Sequence, residues 1–250
     1  YLGNVSYMYQ IKNSKELANV IEYTNLNNTA TEAEMKEFLE RAKEFDFRAV
    51  VINPTFVPLA KEALKDTNIK VVTVIGFPLG FESTKSKIGE AKAAIEDGAD
   101  ELDMVVNLSY VKDKKYDKIK EEVSKVKKLL GDKILKVIIE TQALEDSEKA
   151  EVSKAIEDAG ANYIKTSTGF VSAPTIYETV NDINIVQRYA PSIKIKVSSG
   201  ADTYKIANQI LTAGADTIGT TNGYQIVKDY RNLRENTQVT PKPITFSDDE

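Results

Sequence analysis

Two lysines carry the chemistry expected of this chain: Lys165 within Tyr163-Ile-Lys-Thr-Ser-Thr-Gly169, and Lys196 within Lys194-Ile-Lys-Val-Ser-Ser-Gly200. Each lies in a short β-branched run that reads as a strand, and each run ends at a Gly able to open a phosphate-holding turn. A Lys inside a buried strand is costly unless it is paired or has its pKa moved. Free Lys has a pKa of about 10.4, so at neutral pH it is almost all ammonium and not nucleophilic. A second ammonium nearby lowers that value, as does desolvation. The neutral amine can then attack a carbonyl, and the resulting iminium serves as an electron sink for making or breaking a C–C bond. Asp103, in Leu102-Asp-Met-Val-Val-Asn107, supplies the third partner. A carboxylate working with a water or a neighbouring Lys can shuttle the protons.

Composition narrows the choice by elimination. The 250 residues include no His and no Cys. Disulfides, thiolate nucleophiles, Cys-based metal sites, a Ser-His-Asp triad and the commonest zinc and iron sites are thereby excluded. Apolar and charged contents of 42% and 28% are those of a soluble globular protein. Net charge is -5, with Lys and Arg dispersed, which argues against nucleic acid as a partner. No apolar run approaches the roughly 20 residues that span a bilayer, and no signal-like segment precedes Tyr1, so no membrane partner and a cytoplasmic setting are expected.

The elements that must position these residues alternate between strand and helix. Strands are predicted near Val20–Thr24, Arg48–Ile52, Lys70–Ile75, Glu101–Val106, Leu135–Glu140, Asn162–Thr166, Lys194–Ser198 and Thr217–Gly219. Helices are predicted over Thr31–Phe45, Val57–Lys65, Thr84–Asp97, Tyr116–Leu130, Ser147–Ala159, Thr175–Ala190, Thr203–Ala213 and Tyr224–Arg234. In the first of these, Met35, Phe38, Leu39 and Ala42 form one apolar face, with Thr31 as N-cap and Glu34 closing a capping box. Asp97-Gly-Ala-Asp100, Ala159-Gly-Ala-Asn162 and Ala213-Gly-Ala-Asp216 each end a helix and lead into a strand; their glycines are 62 and 54 residues apart, or two βα units per interval. Eight such units in this length indicate an α/β protein with a (β/α)8 TIM barrel in a single domain, residues 1–236, including a short helical lead-in. A doubly wound open sheet is the competitor, but no Gly-x-Gly-x-x-Gly follows the first strand. The polar tail Thr237–Glu250 reads as a frayed extension.

In a barrel, function gathers at the C-terminal ends of the strands. Asp103, Val105 and Asn107 share one strand face; if it points inward, Asp103 enters the lumen together with Lys165 and Lys196. Lys136, on the same face as Glu140, reads as a further lumen charge that supports the site. Gly169, Gly200 and Gly219, near the ends of strands six, seven and eight, suit a phosphate site built from loop amides. Taken singly, a strand Lys is more often salt-bridged, an Asp more often structural and a Gly more often a plain turn. Together they indicate a site.

At these residues the chain resembles the deoxyribose-phosphate aldolase family, class I aldolases of the (β/α)8 type. The matching stretches run in family order from about Leu17 to Val227: Val50-Val-Ile-Asn-Pro54, Thr73-Val-Ile-Gly-Phe-Pro-Leu-Gly80, Glu90-Ala-Lys-Ala-Ala-Ile95, Gly98-Ala-Asp-Glu-Leu-Asp-Met-Val-Val-Asn107, Lys136-Val-Ile-Ile-Glu-Thr141, Tyr163-Ile-Lys-Thr-Ser-Thr-Gly-Phe170 and Ile218-Gly-Thr220. The resemblance implies reversible cleavage of 2-deoxy-D-ribose 5-phosphate to D-glyceraldehyde 3-phosphate and acetaldehyde. Carried over by position, Lys165 forms the Schiff base, Lys196 lowers its pKa and relays protons, and Asp103 completes the relay to the C3 hydroxyl through a water. Substrate-binding residues would be Glu22, Thr24, Asn107, Lys136, Thr168, Gly169, Gly200, Gly219 and Thr220. Neither metal nor organic cofactor is implied. The partners implied are a small phosphosugar or aldehyde and further copies of the chain, as a dimer or tetramer.

Several positions depart from the family's pattern. Glu22-Tyr-Thr24 stands where Asp-His-Thr or Asp-Leu-Thr is usual, so the carboxylate reaches one methylene further. After Lys196, Ser199-Gly-Ala-Asp202 replaces Gly-Gly, a hydrophobic residue and Arg. After strand eight, Thr221-Asn222 replaces Ser-Ser. The Lys-Lys-Asp set is intact while the phosphate end is altered. This leaves open a Schiff-base aldolase with another acceptor or phosphate preference, and a non-catalytic sugar-phosphate-binding barrel.

Overall fold

Short β-branched runs alternate with helices whose one apolar face needs covering, and the stable arrangement is a ring of helices around a closed sheet. The computed structural model describes residues 11–235 and has that form. Its strands are β1 (Ile21–Asn25), β2 (Ala49–Ile52), β3 (Lys70–Ile75), β4 (Glu101–Val105), β5 (Ile134–Ile138), β6 (Tyr163–Lys165), β7 (Lys194–Ser198) and β8 (Thr217–Thr220). Each pairs in parallel with the next, and β1 pairs with β8 to close the barrel. The helices are α1 (Ser14–Ala18), α2 (Glu32–Ala42), α3 (Val57–Ala63), α4 (Thr84–Glu96), α5 (Leu108–Lys112), α6 (Tyr116–Leu130), α7 (Asp146–Asp158), α8 (Ile176–Tyr189), α9 (Tyr204–Ala213) and α10 (Gly223–Tyr230). The open-sheet alternative is thereby excluded. The predicted tail Thr237–Glu250 lies outside the described residues.

Local signals hold where they were read. Thr31 accepts from the Glu34 N–H while Glu34 accepts from the Thr31 N–H, a reciprocal cap on α2. Gly98, Gly160 and Gly214 turn the chain inward with φ of 107°, 87° and 120°. Two boundaries differ at the site. β4 stops at Val105, and Asn107 caps the unpredicted helix α5 by accepting from the Tyr110 N–H. Five residues are too few to show a helical period in the sequence. β8 runs one residue past the predicted end at Gly219, to Thr220.

Alternation divides the strands between two cores. Outward residues such as Val50, Ile52, Val71 and Ile75 join the large cluster beneath the helices. Inward, Ala49, Val51, Val72 and Val74 form a small apolar cluster with Leu26 and Phe77 on the β2–β3 side of the lumen. Val72 and Val74 register with Glu101 and Asp103 of β4, where the lumen lining turns from apolar to charged.

Candidate active site

The strand registers dictate which charges meet. Asp103 of β4 pairs with Lys136 of β5, and Lys165 of β6 with Lys196 of β7. In-register neighbours point the same way, so all four enter the lumen, joined by Glu22 of β1. Asp103, Lys136, Lys196 and Glu22 are wholly buried, and Lys165 is 2% exposed. Ions this deep in a protein are tolerated only when each finds partners. Lys196 Nζ donates to Asp103 Oδ2 and Glu22 Oε1, both at 2.7 Å. Lys165 Nζ donates to the same Asp103 Oδ2 at 3.2 Å. Lys136 Nζ donates to Glu101 Oε1 at 2.6 Å and to Asp103 Oδ1 at 3.2 Å.

Burial and these partners shift the protonation equilibria. Burial, and then the Lys196 ammonium, bring Lys165 down to about 8 against the opposing pull of Asp103. Desolvation is the larger cause, ahead of the cationic neighbour. Burial raises the Asp103 carboxyl, but Lys136, Lys196 and Lys165 outweigh it and hold the group well below the usual carboxylate range. Glu22 is treated alike: burial raises it, Lys136 and Lys196 lower it, and it settles at about 2. For Lys136, burial is overcome by Asp103, Glu22 and Glu101, and its ammonium is held above the ordinary range. Burial thus brings Lys165 toward neutrality, while the carboxylates around Lys136 hold that ammonium away from it.

Above Lys165 a cavity of about 450 Å³ opens at the C-terminal ends of the strands. Its lining includes Thr24, Lys165, Thr168, Gly169, Gly200, Gly219 and Thr220 from the expected set. Glu22, Asp103, Lys136 and Lys196 form the charged layer beneath. Asn107 is not among the lining residues, because its side chain caps α5. Gly169 and Gly200 have φ of 85° and 82°, as turns at the ends of their strands require. Gly219 has a different use: a Cβ there would lie 2.6 Å from Ser198 Oγ and 2.8 Å from Lys196 Cε. Its missing side chain is the space through which Lys196 reaches the lumen.

The expected hydroxyls are partly committed. Thr168 donates to Glu140 Oε2 at 2.6 Å and Thr220 to the Ala201 carbonyl at 2.9 Å, which fastens the loops around the cavity. Thr24 donates to the Glu22 carbonyl at 3.0 Å. Glu140 is therefore no lumen partner of Lys136: it sits beyond β5 with φ of 51° and holds the β6 loop. Ser198 Oγ is buried on the cavity wall without a hydrogen-bond partner among the described residues. The Phe77 ring lies 5.9 Å from Lys165 Nζ and packs edge-on against Phe170 at 5.3 Å. Arg48, Glu101 and Ser198 were not anticipated. Glu101 was legible two residues before Asp103 on the same face, whereas Arg48 lies just before its strand.

The chain is similar to known proteins over most of its length. The profile of the DeoC/LacD family aldolases matches residues 18–229. A deoxyribose-phosphate aldolase of Caldicellulosiruptor saccharolyticus is 44% identical over 219 residues, covering 86% of this chain and 98% of that protein. One from Thermococcus kodakarensis is 41% identical over 221 residues, covering 86% and 97%. The solved deoxyribose phosphate aldolase of Aeropyrum pernix, described as a unique tetramer, superposes with a TM-score of 0.81 at 28% identity, covering 89% of this chain and 94% of that one. With the match spanning all eight strands and relatives at 41–44% identity over most of their length, the chain belongs to the DeoC/LacD family of aldolases.

Proposed function

We propose that the protein is a class I aldolase that reversibly cleaves 2-deoxy-D-ribose 5-phosphate to D-glyceraldehyde 3-phosphate and acetaldehyde. The observation that carries the reading is Lys165, a buried amine lowered to about 8 at the floor of the cavity. Neutral Lys165 attacks the C1 aldehyde, and loss of water leaves an iminium. The C2–C3 bonding electrons flow into that iminium as the C3 hydroxyl loses its proton, which releases glyceraldehyde 3-phosphate and leaves an enamine. Protonation of the enamine at C2 and hydrolysis return acetaldehyde and the amine. Lys196 and Asp103 relay the protons, with a water between Asp103 and the C3 hydroxyl. Asp103, whose Oδ2 accepts from both Lys165 and Lys196, also orients that water. The open Ser198 hydroxyl suits a sugar hydroxyl, and the Gly169 and Gly200 turns suit the phosphate.

Acetaldehyde with borohydride should add a reduced two-carbon unit to Lys165, mapped by mass spectrometry, and Lys165→Arg should abolish it. A folded protein with no adduct at that position would overturn the assignment.

One observation favours a second reading, the same chemistry on an acceptor without phosphate. Among the described lining residues, Asp202 is the only carboxylate and Lys165 the only cation. An anion at the rim repels a dianionic substrate. The ratio of kcat/KM for deoxyribose with and without its 5-phosphate separates the two, and a ratio near unity selects the second.

Assembly as a dimer or tetramer belongs to the same proposal, supported by the tetramer described for the Aeropyrum pernix relative; light scattering would test it. So does a cytoplasmic setting, because a phosphorylated sugar does not cross membranes unaided; cell fractionation would test that. Among the described residues, no helix is long and apolar enough to cross a membrane.

A further inference from the structure

Beneath Lys165 the ion pairs continue through the lumen to the closed end of the barrel. Arg48, one residue before β2, donates from Nη1 to Glu22 Oε2 at 3.0 Å. It also grips Glu101 with both nitrogens, Nη1 to Oε1 and Nη2 to Oε2, each at 3.0 Å. Glu101 bonds Lys136, Lys136 bonds Asp103, and Asp103 bonds Lys165. Glu22 closes a second route through Lys196. The connected group holds four cations, Arg48, Lys136, Lys165 and Lys196, against three anions, Glu22, Glu101 and Asp103. Fully ionised, it carries one positive charge too many. The β2–β3 wall, made of Ala49, Val51, Val72 and Val74, offers nothing to neutralise it.

Geometry decides which cation yields. Arg48 stays protonated whatever its surroundings. Lys196 holds two carboxylate oxygens at 2.7 Å, and Lys136 lies within 2.6 to 3.4 Å of three carboxylates. Lys165 has a single carboxylate contact, at 3.2 Å. It is the least firmly held cation and the one beside the cavity. We propose that Arg48 is a positioning residue for the aldolase reaction: its permanent charge at the closed end of the barrel makes the lumen one cation too rich, and Lys165 relieves the surplus by standing as the free amine.

Other charged groups leave this balance intact. Tyr163 of β6 faces Arg48, Lys136 and Lys194 with its ring, at 5.6, 5.7 and 5.7 Å. Lys194 and Asp202 are exposed to solvent at opposite ends of the barrel, and Glu140 is bonded to Thr168. The inference rests on Lys165 being the Schiff-base amine, so its test must tell the two apart.

The experiment follows borohydride trapping of acetaldehyde at Lys165 against pH, with kcat/KM measured alongside, in five proteins: the natural sequence, Arg48→Met, Arg48→Lys, Glu101→Gln, and Arg48→Met with Glu101→Gln. Arg48→Met makes the fully ionised group neutral and should move the trapping midpoint up by about one pH unit, the scale of removing one charge from a weakly screened ion-pair network. Glu101→Gln raises the surplus and should move the midpoint down. The double variant restores a surplus of one, and its midpoint should return to that of the natural sequence; Arg48→Lys should leave the midpoint in place. Losses of packing alone do not move a titration in opposite directions and then cancel. If Arg48→Met does not fold, the downward shift in Glu101→Gln carries the test. Coincident midpoints, or shifts of the same sign in both single variants, would overturn the role of Arg48 while leaving Lys165 as the nucleophile. Absence of an adduct in the natural sequence would instead overturn the aldolase reading itself.

Discussion

Lys165 and Lys196 stand side by side in register on β6 and β7, and both donate to one oxygen atom, Asp103 Oδ2, at 3.2 and 2.7 Å. Sharing is unequal. Lys196 also holds Glu22, so its ammonium is anchored on two sides, while Lys165 depends on the longer bond alone. That asymmetry gives two identical side chains different surroundings.

Replacing the anchored cation should therefore disable its less firmly held neighbour. In the proposed mechanism Lys196→Met removes both a proton relay and the positive neighbour of Lys165. Activity should fall by about 10²- to 10⁴-fold, the usual scale for losing a proton-transfer group. The rising limb of the pH–kcat/KM profile should move to higher pH as well. A variant with unchanged activity would separate Lys196 from the chemistry.

The pH profile of the natural sequence follows from Lys165. Below about 8 the amine is mostly protonated, so kcat/KM should climb nearly tenfold per pH unit and level off above that value. Steady-state assays from pH 6 to 10 with acetaldehyde release as the readout would check this.

Acid should loosen the barrel from within. Glu22 has a folded-state pKa of about 2 against an ordinary 4.5. A lowered carboxyl stabilises the fold fully above its unfolded value and loses that contribution as pH falls through its folded value. Asp103 shifts in the same direction. Urea midpoints should hold between pH 7 and 5, then fall between about pH 4.5 and 2. A flat midpoint over that range would contradict the ion-pair layer.

Gly219→Ala places a methyl group against Lys196 Cε and Ser198 Oγ. Lys196 must shift, so activity should fall about 10²-fold or more while stability drops by about 1 to 3 kcal/mol. Comparing borohydride trapping with thermal unfolding would distinguish this from a general loss of fold.

Ser199 carries the opposite correction. Its φ of 71° is a conformation that suits glycine. Ser199→Gly should raise stability by about 0.5 to 1 kcal/mol, the strain relieved being partly offset by the freer unfolded chain. Denaturant titration at unchanged slope measures it.

Much of this was readable in the chain, because each feature rests on local periodicity or local turn chemistry. Lys70–Ile75, Lys194–Ser198 and Tyr116–Leu130 fall where the pattern put them. Lys165, Lys196 and Asp103 meet because alternation along each strand sends them inward. What escaped depends on three-dimensional register or on very short elements. Asn107 looked like the next inward strand residue, but β4 ends two residues earlier and the side chain caps α5. Glu140 looked like a lumen partner for Lys136, yet its left-handed backbone turns it toward Thr168. Arg48 had no visible partner, since Glu22 and Glu101 lie 26 and 53 residues away.

The bond between Glu22 and Lys196 spans 174 positions of the chain. On a ribosome, the first strand must wait for the seventh before its carboxylate finds that ammonium, and the eighth must follow before the ring shuts. Such long-range closure is slow compared with helix formation. Half of this barrel, β1 to β4, would hold Arg48 against Glu22 and Glu101 but leave Asp103 without a cation, which ties the enzyme's chemistry to completion of its synthesis.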